Sequence, residues 1–104
     1  MISTQILDSN QGRPAARIPV ELDLFISGHG WREVGHGITN AEGRIDSFGV
    51  PPAPGIYRMM LDIAAYMPNA FFPSITVTFE VLDEAQQHHL PVVLSRFGYS
   101  VYRA

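Results

Sequence analysis

PVELDLFIS, residues 19–27, sets the rhythm of the whole chain. Val20, Leu22, Leu24 and Ile26 alternate with Glu21, Asp23, Phe25 and Ser27, a period of two that sends one set to each face of a strand. SITVTFEVL, residues 74–82, repeats the pattern, with Ile75, Val77, Phe79 and Val81 against Thr76, Thr78 and Glu80. Both runs are rich in the β-branched and aromatic residues that suit a pleated, half-buried surface.

Working outward, weaker runs of the same kind cover Thr4–Leu7, Trp31–Thr39, Arg44–Phe48, Ile56–Asp62, His89–Ser95 and Gly98–Arg103. The clusters DSNQGRP, SGHG, NAEG, PPAPG and RFG separate them with residues that favour turns. Only Ile63–Met67, cut off by Pro68, reads as a turn or so of helix. Eight short strands and almost no helix predict an all-β sandwich of two sheets, one domain over residues 1–104. Pro91 interrupts His89–Ser95 with a residue that has no N–H, which predicts an edge strand or a bulge there. With the strand-like ending, this suggests that the last two strands meet something other than water, a partner subunit being one candidate.

Composition narrows the function classes. With 104 residues, 46% hydrophobic and 16% charged, the chain is that of a small globular domain rather than a disordered one. All seven basic residues are arginines, scattered without a run, and the net charge is −3, so no nucleic-acid surface is expected. Without cysteine there is neither a disulfide nor a thiolate metal site. MISTQILDSN lacks the charged-then-apolar layout of a signal peptide, and no run reaches membrane-spanning length. A cytoplasmic protein with no membrane partner is the expectation.

Few residues offer chemistry. His29 and His36 flank glycines in GHGWREVGHG and read as solvated; no HExxH, His/Cys cluster or carboxylate cage predicts a metal. His88 and His89 are adjacent in a strand and so face opposite ways, His89 with Gln87, Pro91 and Val93. NAEGR makes a tight turn that presents Arg44 at the start of a strand. No GxSxG or other nucleophile motif is present.

Five stretches together carry a resemblance: STQILDSNQGRPA (3–15), TNAEGRI (39–45), GIYRMMLDIAAY (55–66), FFPSITVTFEV (71–81) and HHLPVVLSRFGYSVYR (88–103). In this order they resemble the transthyretin-like 5-hydroxyisourate hydrolases over nearly the whole chain. The resemblance implies a transthyretin-like (prealbumin-like) sandwich of two four-stranded antiparallel sheets with one short helix. It also implies a homotetramer, a dimer of dimers with active sites in the channel between dimers, and opening of a purine-derived cyclic amide without metal or organic cofactor. By the same resemblance, the C-terminal strand is expected to run along that channel and its last residues to form part of the site.

Residue by residue, the family's arginine after the acidic-Gly turn maps onto Arg44, and its histidine two residues before a proline onto His89. Its first histidine falls on Gln5, its Tyr-Arg-Gly-Ser ending becomes Tyr102-Arg103-Ala104, and its His-Tyr-His becomes Gln87-His88-His89. Amide hydrolysis needs a base for water and a donor or cation for the oxyanion. That leaves His89 as general base and Arg44 as clamp, and the resemblance implies Gln5, Tyr102, Arg103 and Ala104 as substrate contacts. Gln5 and the missing serine also fit a diverged small-ligand binding protein with weak or no turnover. A sandwich used only for assembly is the third reading.

Overall fold

The computed structural model describes residues 1–49 and 52–104; Val50 and Pro51, and with them the start of the PPAPG turn, lie outside the described residues. Nine strands follow one another: β1 (Ile2–Asp8), β2 (Arg13–Pro14), β3 (Pro19–Ile26), β4 (Gly30–Ile38), β5 (Arg44–Ile45), β6 (Gly55–Asp62), β7 (Ser74–Val81), β8 (His88–Leu94) and β9 (Tyr99–Val101). One sheet runs β4-β3-β6-β7 and the other β2-β1-β8-β9, with β5 also pairing β1. The two-sheet, all-β architecture is the predicted one.

Three details differ from expectation. The first sheet has five strands, because the outer edge of β1 is shared by two short partners. β2 takes Leu7 and Asp8, and β5 takes Thr4 and Gln5. The sheets are not purely antiparallel either: β1 and β8 pair in parallel, from Ile2↔His88 to Asp8↔Leu94. The chain builds the entire second sheet between them and returns in its original direction, and a period-two pattern carries no information about direction. Finally, Ile63–Met67 makes a single turn rather than a helix. Tyr66 and Met67 both donate to the Ile63 carbonyl (2.9 and 2.8 Å), and the chain then runs into Pro68. Among the described residues no helix is long and apolar enough to cross a membrane.

Pro91 also departs from expectation, since β8 lies between β1 and β9 rather than at an edge. Its carbonyl accepts from Tyr102 N–H (3.3 Å), so its ring nitrogen faces the same side and has no hydrogen to return to the Tyr102 carbonyl. That one ladder bond is missing just past Val101, where β9 ends, so the proline costs the sheet little. Ala104 N–H continues the same run with a 3.1 Å bond to the His89 carbonyl.

The inward faces of both sheets supply the core: Ile2, Ile6, Leu90, Val92 and Leu94 from one, Val20, Leu22, Met59, Leu61, Ile75 and Val81 from the other. Phe79 packs against this cluster, whereas Trp31, Phe71 and Phe72 are exposed rather than core. Polar groups caught inside are satisfied locally. Thr4 Oγ1 donates to the Leu90 carbonyl (2.7 Å), and Thr39 Oγ1 donates to the Ala15 carbonyl (2.8 Å) while accepting from Ile18 N–H (2.9 Å). Asp8 Oδ1 accepts two backbone N–H groups of the following turn, and Oδ2 accepts the Tyr66 hydroxyl at 2.7 Å. Burial and then that carboxylate hold the Tyr66 phenol above its ordinary range.

Asp23 is the exception to the alternation. It points away from the core, yet it is only 2% exposed. Arg58 explains this: its Nε donates to Asp23 Oδ2 at 2.8 Å while its guanidinium lies 4.5 Å from the Trp31 ring centroid. Asp23 Oδ1 is buried with no hydrogen-bond partner among the described residues. The Asp23 carboxylate first, then burial and the charge of Glu33, hold the nearby Glu21 carboxyl above its ordinary value. The folded chain therefore holds a proton on Glu21 that the unfolded chain releases, and stability falls as pH rises above the ordinary glutamate range. Glu21→Gln should raise the melting temperature at pH 7 and flatten its decline between weakly acidic and neutral pH. Thermal melts across that range check it.

Candidate active site

Strand alternation sends Ser3, Gln5 and Leu7 of β1, and His89, Pro91 and Val93 of β8, to the outer face of the first sheet, away from the core. Parallel pairing sets Ser3 beside His89 and Gln5 beside Pro91, while β5 sets Arg44 beside Gln5 on the opposite side. The register thus gathers three polar side chains and an imidazole from segments far apart in the sequence.

The turn before β5 places Arg44. Asn40 Oδ1 accepts the backbone N–H groups of Glu42 (3.0 Å) and Arg44 (2.9 Å), and Asn40 N–H donates to the Arg44 carbonyl (2.9 Å). Gly43 sits at φ 74°, and its carbonyl accepts Ile6 N–H at 2.8 Å, tying the turn to β1. A Cβ at Gly43 would stand 2.4 Å from the Ile6 carbonyl oxygen, so no other residue fits.

A cavity of about 320 Å³ lies on this face, lined by Met1, Ser3, Arg44, Asp46, Gln87 and His89. Ser3 Oγ is 2.8 Å from His89 Nδ1. Arg44 Nη1 is 4.0 Å from Asp46 Oδ1; both side chains are substantially exposed, so the pair is weak and solvent-screened. His89 and Arg44, the two catalytic candidates from the sequence, thus open onto one cavity. Gln5 does not line it: its Nε2 donates to the Glu42 carbonyl at 3.3 Å, beside Arg44. Ala104 reaches His89 through the backbone alone. Tyr102 and Arg103 are not brought to the cavity within this chain. They line a second one of about 240 Å³ between the sheets, with His88, Leu90 and Phe79, where Arg103 Nη2 donates to Gln86 Oε1 (3.2 Å).

Ser3, Asp46 and Gln87 are lining residues that the sequence reading did not single out. Alternation could have found two of them, since Ser3 and Gln87 each stand two residues before a candidate. A larger open depression of about 590 Å³ on the second sheet is lined by apolar groups with Glu21, Glu33, His36 and Asp62. It offers no arginine for a developing oxyanion, and His36 Nδ1 is already 3.1 Å from Glu33 Oε2. The smaller cavity, with a base and a cation, is the better place for amide chemistry. Among the described residues, no three His, Cys, Asp or Glu side chains are grouped to hold a metal ion.

The model of the HIUase/Transthyretin family matches residues 2–104. A 5-hydroxyisourate hydrolase of Salmonella dublin is 34% identical over 99% of this chain and 79% of its own length. The uric acid degradation bifunctional protein TTL of Arabidopsis thaliana is 33% identical over 98% of this chain, which spans only 36% of that relative. The crystal structure of sea bream transthyretin in complex with thyroxine superposes with a TM-score of 0.93 and 25% identity, covering 99% of this chain and 93% of that one.

Gly43→Ala should cost more than the roughly 1–3 kcal/mol of a left-handed backbone on a non-glycine residue, because the new Cβ also meets the Ile6 carbonyl oxygen. Urea denaturation checks it, and the loss should exceed that of Gly49→Ala, where a Cβ meets nothing within 4 Å.

Proposed function

Because the chain belongs to the HIUase/Transthyretin family, we propose that it hydrolyses the cyclic amide of 5-hydroxyisourate, or of a close, N-substituted relative, in purine breakdown. The observation that carries this reading is the meeting of His89 and Arg44 on one cavity. The imidazole of His89 takes a proton from water as the water oxygen adds to the ring carbonyl carbon. Arg44 meets the oxyanion that forms, a charge-assisted interaction strongest in the transition state. The C–N bond then breaks, the imidazolium returns its proton to the leaving nitrogen, and the ring opens to a carboxylic acid that releases its proton to solvent. Every atom of water is accounted for, with no cofactor in the sequence of steps.

Gln5, outside the cavity in the single chain, is a neutral donor and acceptor whose Nε2 braces the turn beside Arg44. Its amide oxygen, free among the described residues, can meet the substrate edge without joining the proton transfer. The proposal includes a cytoplasmic homotetramer, a dimer of dimers in which two such faces bound a channel. There Tyr102, Arg103 and Ala104 complete the binding surface for a small purine-derived molecule. Charge accounting supports a ring of low net charge. Gln5 and Gln87 are neutral, and Asp46 stands opposite Arg44.

A second reading, a small-ligand binding protein without turnover, is favoured by one observation. Gln5 carries no titratable group, and its amide nitrogen is spent on the Glu42 carbonyl. One variant separates the two readings. With 5-hydroxyisourate generated in place from urate, the wild-type chain should accelerate the loss of ultraviolet absorbance over the spontaneous rate. His89→Ala should lower kcat by about 10²- to 10⁴-fold while calorimetric binding of a non-hydrolysed analogue persists. Wild-type progress curves that match the spontaneous rate would sink the hydrolase.

Asp46→Asn should free the Arg44 guanidinium and lower KM for an anionic ring by about two- to fivefold, with little change in kcat. The effect should shrink with added salt, as initial rates at low and high ionic strength would reveal.

A further inference from the structure

The two adjacent histidines of β8 differ in what their Nδ1 atoms meet. His88 Nδ1 lies 3.0 Å from the Gln86 carbonyl oxygen. A carbonyl only accepts, so that ring must carry its proton on Nδ1. His89 Nδ1 lies 2.8 Å from Ser3 Oγ, a hydroxyl that can donate or accept. The contact alone therefore leaves the His89 tautomer open, and the surroundings decide it. Nε2 has no hydrogen-bond partner among the described residues, and His89 and Arg44 line the same cavity. The positive field of a guanidinium favours a lone pair over an N–H on that open nitrogen. The proton then belongs on Nδ1, where Ser3 Oγ accepts it.

Ser3 itself has the features of a group kept for this bond. It is 5% exposed, it is the parallel partner of His89 across the ladder, and its hydroxyl has no other hydrogen bond among the described residues. A buried hydroxyl with a single partner is costly to keep for packing alone.

We propose that Ser3 is a positioning residue that fixes His89 in the Nδ1–H tautomer and so leaves the Nε2 lone pair free to receive a proton from water. The inference rests on the hydrolase reading for its catalytic consequence, whereas the tautomer assignment rests on the Ser3 contact together with the charge of Arg44. Nδ1–H to Oγ is also the one arrangement that survives protonation of Nε2, because both ring nitrogens of an imidazolium donate. The ring passes from base to acid without breaking its hold on β1.

Two-bond proton–nitrogen spectra of the full chain labelled with ¹⁵N-histidine read the tautomer directly, with the His89 signals identified by their loss in His89→Gln. The wild-type pattern should be that of Nδ1–H. Ser3→Ala should shift it toward Nε2–H and lower kcat by about tenfold to a hundredfold, the usual cost of removing a group that orients a functional histidine. KM should move far less, and Ser3→Thr, which restores the hydroxyl, should recover both tautomer and kcat. A wild-type Nε2–H pattern, or a Ser3→Ala spectrum that keeps Nδ1–H, overturns the proposal. If Ser3→Ala fails to fold, the wild-type spectrum and Ser3→Thr decide it. A chain that turns over no 5-hydroxyisourate yet loses Nδ1–H in Ser3→Ala refutes the hydrolase reading and upholds the tautomer.

Discussion

The parallel ladder between β1 and β8 is the constraint on which the rest depends. Its register, Ile2↔His88 through Asp8↔Leu94, decides in one stroke which residues of both strands look inward and which look out. A slip of one residue would turn either His89, or Ser3 and Gln5, into the core and push Leu90, or Thr4 and Ile6, into water. The core prevents this, because Ile6 and Val92 are completely buried and Leu90 nearly so. Apolar burial on one face therefore holds polar geometry on the other.

The same economy governs Arg44. Ile45 belongs to the core cluster, while Arg44, one residue earlier, faces out. The turn that delivers the pair is held by one asparagine side chain and one glycine, both within hydrogen-bonding reach of their targets. A two-residue strand would be marginal alone; its anchorage to β1 makes it a rigid mount. The second sheet plays no direct part in this cavity. It closes the sandwich and buries an ion pair, Asp23 with Arg58, that an outward-facing strand position would not normally hide.

Departures from the family pattern gather in this same region. The imidazole expected at position 5 is an amide turned toward the backbone of the β5 turn, and position 87 is another amide. Both changes remove titratable groups while leaving hydrogen-bonding capacity, which in the proposed reaction puts the burden of proton transfer on one histidine. The environment of that histidine then matters more than in a site with two. Its nearest recorded partner is a serine hydroxyl rather than a charged group.

Period-two alternation in residues 19–27 and 74–82 determined the sheet class, and turn-forming clusters placed nearly every boundary, because both signals are local. Alternation also separated His88 from His89. Three things had no local signature. The direction of β1 against β8 is set by where the returning chain finds an unpaired edge, and the brevity of β5 by how much edge β2 leaves. The acceptability of Pro91 depends on β9 ending where it does. Likewise, Asp23 reads as a solvated strand residue until Arg58 and Trp31 arrive from other strands to cover it. Residue types and their periodicity are written along the chain, but pairing across more than eighty residues is decided only when the two sheets close on a common core.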